Sequence, residues 1–332
     1  MRSPRLLLFS LALFALIGCN ASPSASSRGA AVQPAPTVSV LDPASLPDDV
    51  TIPLTRRYNY LFVAAHLNGR PAGQMLFDTG STLTVVDTGL ANRLQLPVAG
   101  EGRTTGIAGR EDFEFRSADS LAIAGVGIDH RRLAALSMRR LLGGTGRQSG
   151  SSGGGLSLGG LVGFTAFAGQ PFTLDFPNNA LTVHRRDAFT PPATAKRYDL
   201  VNYRGLPSIV AELAGGQEVL LILDTGANNA VSLPSHVADW PRILASRTAG
   251  AGAASGVGGT IQTQEGWLKH INLFDLRLSG VPVTFEPQPP GLSSPRYTVG
   301  RIGNQVLSAF TLTFHLQNRA IYIQFEPEDG DD

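Results

Sequence analysis

The chain has 332 residues, 42% of them hydrophobic, and 27 Lys plus Arg stand against 26 Asp plus Glu for a net charge of +1. That length favours two domains and that apolar content supports real cores, so disorder over the whole chain is excluded; a balance this even leaves no electrostatic footprint for nucleic acid. A single cysteine forms no intramolecular disulfide and no cysteine-based zinc site, and 38 glycines with 22 prolines point to many turns and short strands rather than a helical bundle.

At the start of the chain, Arg2 and Arg5 precede an apolar run of 12 residues, Leu6 to Ile17. The run is too short to span a bilayer comfortably and has the length of a signal-peptide core. It ends in Leu16-Ile17-Gly18-Cys19, which resembles the lipobox of bacterial lipoproteins. The resemblance implies that residues 1–19 are a lipoprotein signal peptide and that Cys19 is lipidated as the mature N-terminus. Asn20 stands where lipoproteins held in the inner membrane use Asp, which favours an outer-membrane anchor facing the periplasm. Residues 20–50 are rich in Ala, Ser and Pro and lack hydrophobic periodicity, so they read as a flexible tether.

Beyond the tether the chain repeats itself. The segment from Ala65 through Asp78-Thr79-Gly80 aligns without gaps with the segment from Ala211 through Asp224-Thr225-Gly226, at an offset of 146. A second block, Gly163 to Val183, aligns with Gly303 to Ile323 at an offset of 140. Between them Gly106-Ile107-Ala108-Gly109 corresponds to Gly256-Val257-Gly258-Gly259. The chain thus reads as two copies of one module, residues 51–186 and 201–328, joined by a connector at 187–200.

Each module reads as all-β. Tyr60 to Leu67 is a strand ending in the hairpin signal Asn68-Gly69, and Gly215-Gly216 plays that part in the second half. Phe172 to Val183 is a hairpin turning at Pro177-Asn178-Asn179. Short helices are expected at Leu90 to Leu96 and at Ser235 to Ile243, the latter with Ser235 as its N-cap. Residues 143–160, almost all Gly and Ser, read as a mobile surface insertion. Trp240 and Trp267 are expected to pack in the core. The six histidines are scattered singly, so no metal site is expected.

The chemistry lies in the repeated tripeptide. Met75-Leu76-Phe77-Asp78-Thr79-Gly80-Ser81 and Leu221-Ile222-Leu223-Asp224-Thr225-Gly226-Ala227 each put an acid directly after a buried-strand run. A carboxylate there is costly unless it is hydrogen-bonded or functional, and its duplication brings the two acids to a pseudo-twofold axis. Here the sequence resembles the retropepsin-like and pepsin-like aspartic proteases. Leu161-Val162-Gly163 and Arg301-Ile302-Gly303-Asn304, each expected to lead into a strand, match the second motif of that superfamily. The resemblance spans residues 58 to 325. It implies a bilobal acid-protease architecture of two tandem retropepsin-like β-barrel lobes, a monomer that carries its own pseudo-dimer.

The resemblance also implies the site. Asp78 and Asp224 form the dyad, and carboxylates about 3 Å apart share one proton because both cannot ionise. Thr79 and Thr225 bond across the axis; Gly80 and Gly226, with Ser81 and Ala227, complete the supporting loops. Gly106, Gly109, Gly256 and Gly259 resemble retropepsin flap segments that fold over an extended peptide or protein substrate. No equivalent of the pepsin flap tyrosine stands in the chain, which favours the retropepsin side. No metal, cofactor or covalent nucleophile is needed. A third copy, Asp87-Thr88-Gly89, has no counterpart in the second half and reads as a strand end and helix N-cap. The rival reading is a non-catalytic peptide-binding envelope protein on a decayed protease scaffold.

Overall fold

The computed structural model describes residues 13–14, 49–128, 131–141, 158–167, 169–245, 250–288, 294 and 296–325. Cys19, the leader apart from Leu13 and Phe14, the tether up to residue 48 and most of the Gly/Ser stretch lie outside the described residues; Val50, assigned to the tether, begins a strand. Leu13–Phe14 is described as a short strand antiparallel to Thr105 and Gly106. Among the described residues no helix is long and apolar enough to cross a membrane.

The strand Tyr60–Leu67 turns at Asn68 and Gly69, both with positive φ (51° and 70°), and returns as Arg70–Asp78. Positive φ at both turn positions is the geometry that matches strand twist in a two-residue hairpin. The returning strand grows more apolar along its length, so that Met75, Leu76 and Phe77 are buried when the chain reaches Asp78. In the second half Leu206–Leu213 and Glu218–Leu223 repeat this hairpin around Gly215 and Gly216.

The two halves share one sheet topology. In the first, Tyr60–Leu67 is followed across the sheet by Arg70–Asp78, Leu158–Gly163, Val85–Asp87, Arg132–Leu136, Gly109–Ser117 and Val98–Gly106. In the second, Leu206–Leu213 is followed in the same way by Glu218–Leu223, Thr298–Ile302, Val231–Pro234, Leu276–Glu286, Gly259–Leu273 and Gly250–Gly256. In both, the strand ending at the Asp runs parallel to the strand of the second motif: Asp78 lies opposite Gly163, and Leu223 opposite Ile302.

A third, six-stranded sheet belongs to both halves. Its order is Lys196–Asp199, Ala320–Phe325, Phe310–His315, Phe172–Asp175, Ala180–Val183 and Val50–Pro53. The two central strands pair antiparallel, with Thr173 opposite Thr313 and Phe172 opposite Phe314. Those phenylalanines are fully buried and stacked at 4.9 Å. The stretch 187–200 therefore contributes a strand of its own to this shared sheet.

Four further expectations are corrected. Leu158, Gly159 and Gly160, placed in the Gly/Ser insertion, begin a core strand. A Cβ on Gly159 would lie 1.8 Å from the Ala72 carbonyl oxygen and one on Gly160 1.9 Å from that of Val85, so close packing, and not looseness, demands glycine there. The second-motif glycines lead into short helical turns, Phe164–Phe167 and Asn304–Leu307, before the next strand. The helix expected to begin at a Ser235 cap is a 3₁₀ turn, Ser235–Asp239, with Pro234 at the cap position and no side-chain cap; Pro241 stands just beyond, where a ring blocks continuation. Trp240 packs half-buried against the core, but Trp267 is 47% exposed, because strand alternation turns Leu268 inward in its place.

Candidate active site

The two Asp-Thr-Gly loops meet back to back. The Thr79 N–H donates to Oγ1 of Thr225 and the Thr225 N–H donates to Oγ1 of Thr79, both at 3.0 Å. Each hydroxyl then donates to a carbonyl of the strand entering the opposite loop: Thr79 to Leu223 at 2.6 Å, Thr225 to Phe77 at 2.8 Å. Four bonds cross the pseudo-twofold axis with all donors and acceptors buried, where each is costly to leave unmade.

This clasp sets the aspartates side by side. Asp78 and Asp224 have no exposed surface, and their carboxyls are within hydrogen-bonding reach of each other. One oxygen of each accepts from its own loop, Oδ1 of Asp78 from the Gly80 N–H at 2.8 Å and Oδ1 of Asp224 from the Gly226 N–H at 3.0 Å. Gly80 passes so near the opposite carboxyl that a Cβ would stand 2.4 Å from Oδ1 of Asp224, which explains glycine at that position. Burial pushes the Asp78 carboxyl well above the usual carboxylate range, and the Asp224 charge raises it further. Burial also raises Asp224, while the guanidinium of Arg301 draws it back.

The loops are held from behind. Ser81 bonds its own turn through the Leu83 carbonyl and N–H, and its carbonyl accepts from the Phe164 N–H at 2.8 Å. Ala227 accepts from the Asn304 N–H at 2.8 Å, and Asn304 Nδ2 donates to the carbonyls of Thr225 and Asn59. Asp87 lies apart from the dyad; it caps the helix Thr88–Arg93, accepting from the Leu90 N–H at 3.1 Å.

The glycine segments form the tips of two hairpins, one from each half. Gly106 pairs with Gly109 and Gly256 with Gly259. The tips touch: the Ala108 N–H donates to the Val257 carbonyl at 3.1 Å. Their apolar residues change sides. Ile107 packs with Tyr203, Leu206 and Leu220 of the second half, and Val257 with Tyr60, Phe62 and Leu83 of the first, both almost fully buried.

Three residues were not singled out as functional by sequence reasoning. Tyr60 is buried, and the charges of Asp224 and Asp78 add to that burial in raising its hydroxyl pKa. Arg301 and Glu286 form a buried pair behind Asp224. The signal for Arg301 was a lone charge within an apolar run, Thr298-Val299-Gly300-Arg301-Ile302; nothing local points to Glu286.

The chain matches the aspartyl protease family model over residues 63–163 and 209–300. Among solved structures, an aspartic proteinase from Irpex lacteus superposes with a TM-score of 0.48 at 12% identity, covering 83% of this chain and 97% of that one. No curated protein matches it in sequence.

Proposed function

The chain belongs to the aspartyl protease family, and on that premise we propose that it is a single-chain aspartic endopeptidase whose dyad is Asp78 and Asp224. The observation that carries this reading is the pair of fully buried carboxyls within reach of one another, one from each half, on a clasped axis. Enclosed like charges cannot both ionise, so the pair holds one proton. The ionised carboxylate takes a proton from a water, whose oxygen bonds to the scissile carbonyl carbon. The protonated partner donates to the carbonyl oxygen, giving a neutral tetrahedral diol. Collapse breaks the C–N bond, and the proton taken from water goes to the leaving nitrogen. The diol returns the other proton to the dyad, which regains its starting charge.

With both carboxyls enclosed, substrate enters only when the hairpin tips at Ile107 and Val257 part. An extended peptide pairing with their strands then closes them again. The same proposal puts the enzyme at the cell envelope, tethered through lipid on Cys19. Metabolic labelling with a fatty acid, lost in Cys19→Ala, checks that part.

The decisive experiment uses the soluble chain beginning after Cys19, incubated with a complex peptide mixture between about pH 3 and 8, with new termini read by mass spectrometry. Asp78→Asn and Asp224→Asn are each expected to lower cleavage about 10²–10⁴-fold. Cleavage surviving in either variant refutes the shared-proton mechanism, and none by the wild type at any pH returns the chain to the peptide-binding reading.

A further inference from the structure

The two halves of the dyad are not equivalent. Each carboxyl receives one loop N–H, but among the described residues only Asp224 has a cation within ion-pair distance, and the charge of that cation reaches Asp78 as a lesser influence. Arg301 is 1% exposed on the strand Thr298–Ile302, with Nε 3.6 Å from Oδ2 of Asp224. Its Nη2 donates to Oε1 of Glu286, the last residue of Leu276–Glu286 and itself 4% exposed. In the first half Leu161 takes the matching place: it lies opposite Leu76 as Arg301 lies opposite the equivalent Ile222.

An arginine in such a place is costly. Nε and Nη1 make no hydrogen bond within the protein, and neither does Oδ2 of Asp224, the atom that Nε faces. Desolvating an ion pair outweighs much of its attraction, and an apolar residue such as the first half's leucine serves packing alone at least as well. Among the described residues the charged groups acting on Asp224 are Asp78 across the axis, Arg301 and, behind it, Glu286; Tyr60, on which both aspartates act, stays neutral because burial and their charges raise its hydroxyl pKa.

We propose that Arg301, oriented by Glu286, is a positioning residue that fixes the single negative charge of the dyad on Asp224 and its proton on Asp78. Asp224 is then the base toward water and Asp78 the donor toward the carbonyl. The catalytic consequence rests on the protease reading above; the charge placement does not.

Two substitutions of opposite electrostatic sign test it. Arg301→Met removes the cation, so both limbs of the pH profile of kcat/KM are expected to move toward alkaline pH by about one unit. Glu286→Gln keeps size and removes the countercharge, so both limbs are expected to move toward acid, and Arg301→Lys to recover part of the Arg301→Met shift. A purely structural pair would lower activity and melting temperature with the limbs unmoved, or moved in the same direction by both variants; either result overturns the proposal. Should Arg301→Met not fold, the direction of the Glu286→Gln shift decides alone. Carbon-13 titration of the Asp78 and Asp224 carboxyls reads the same displacements without turnover. Displaced titration in a chain that cleaves nothing sinks the protease reading and keeps this one; cleavage with an undisplaced titration does the reverse.

Discussion

At the scale of single residues, burying two carboxyls side by side makes the stability of the fold depend on pH. A carboxyl whose folded value is raised is held protonated by the fold. Its contribution to stability is fully present below the ordinary carboxylate value near 4 and is lost as pH rises through the raised value. Burial raises both Asp78 and Asp224, so the dyad favours the folded state least at neutral and alkaline pH. Each tenfold displacement of the proton equilibrium corresponds to about 1.4 kcal/mol. Urea unfolding at acid, intermediate and alkaline pH is therefore expected to show Asp78→Asn gaining on the wild type as pH rises; parallel curves would remove the dyad as the cause. The threonine clasp works in the opposite sense. Thr79→Val is isosteric, but it removes the bond to the Leu223 carbonyl and leaves the Thr225 N–H buried without its acceptor. We expect a loss of about 2–4 kcal/mol in denaturant titration, with Thr79→Ser close to wild type.

At the scale of elements, the hairpin tips are a latch made from two apolar residues and one backbone bond. Ile107 and Val257 each bury in the half that did not supply them, and burying such a side chain stabilises closure by about 1.5–3 kcal/mol. Val257→Ser is accordingly expected to speed hydrogen exchange at the Ala108 amide while the strand amides beneath stay protected. Unchanged exchange would mean that the tips do not hold each other closed. What was legible here followed locality. The strand Tyr60–Leu67 and its Asn68-Gly69 turn could be read directly, because alternation and turn chemistry lie within a few residues. The two aspartates could be read because duplication marked them twice. The insertion assigned to 143–160 ran too far because glycine in a tight parallel packing looks the same in sequence as glycine in a loop; only the carbonyls of Ala72 and Val85 distinguish Gly159 and Gly160. Glu286 was invisible because its meaning depends on Arg301, 15 residues on and in another strand. No local pattern fixes that register.

At the scale of the whole molecule, equivalent residues of the two halves touch at two levels along the pseudo-twofold axis. Thr79 and Thr225 clasp at the dyad, and Thr173 and Thr313 share a 2.7 Å hydroxyl contact in the six-stranded sheet. The hairpin tips meet at a third place. That sheet takes strands from both halves and from the stretch between them, so neither half completes its own structure. Coupling of this kind makes the chain unfold as one unit and not as two domains in succession. The sequence supplies a convenient probe, since both tryptophans, Trp240 and Trp267, lie in the second half. Phe172→Ala changes only the first half, but it deletes the ring stacked on Phe314 at 4.9 Å in the shared sheet, a loss of about 3–5 kcal/mol for a buried phenylalanine. The tryptophan fluorescence transition is therefore expected to shift to lower denaturant by the same amount as the circular dichroism transition. Were the halves independent, the fluorescence transition of Phe172→Ala would stay at its wild-type midpoint while the dichroism split in two. The clasped dyad would then have to be assembled afresh at every encounter between two free lobes.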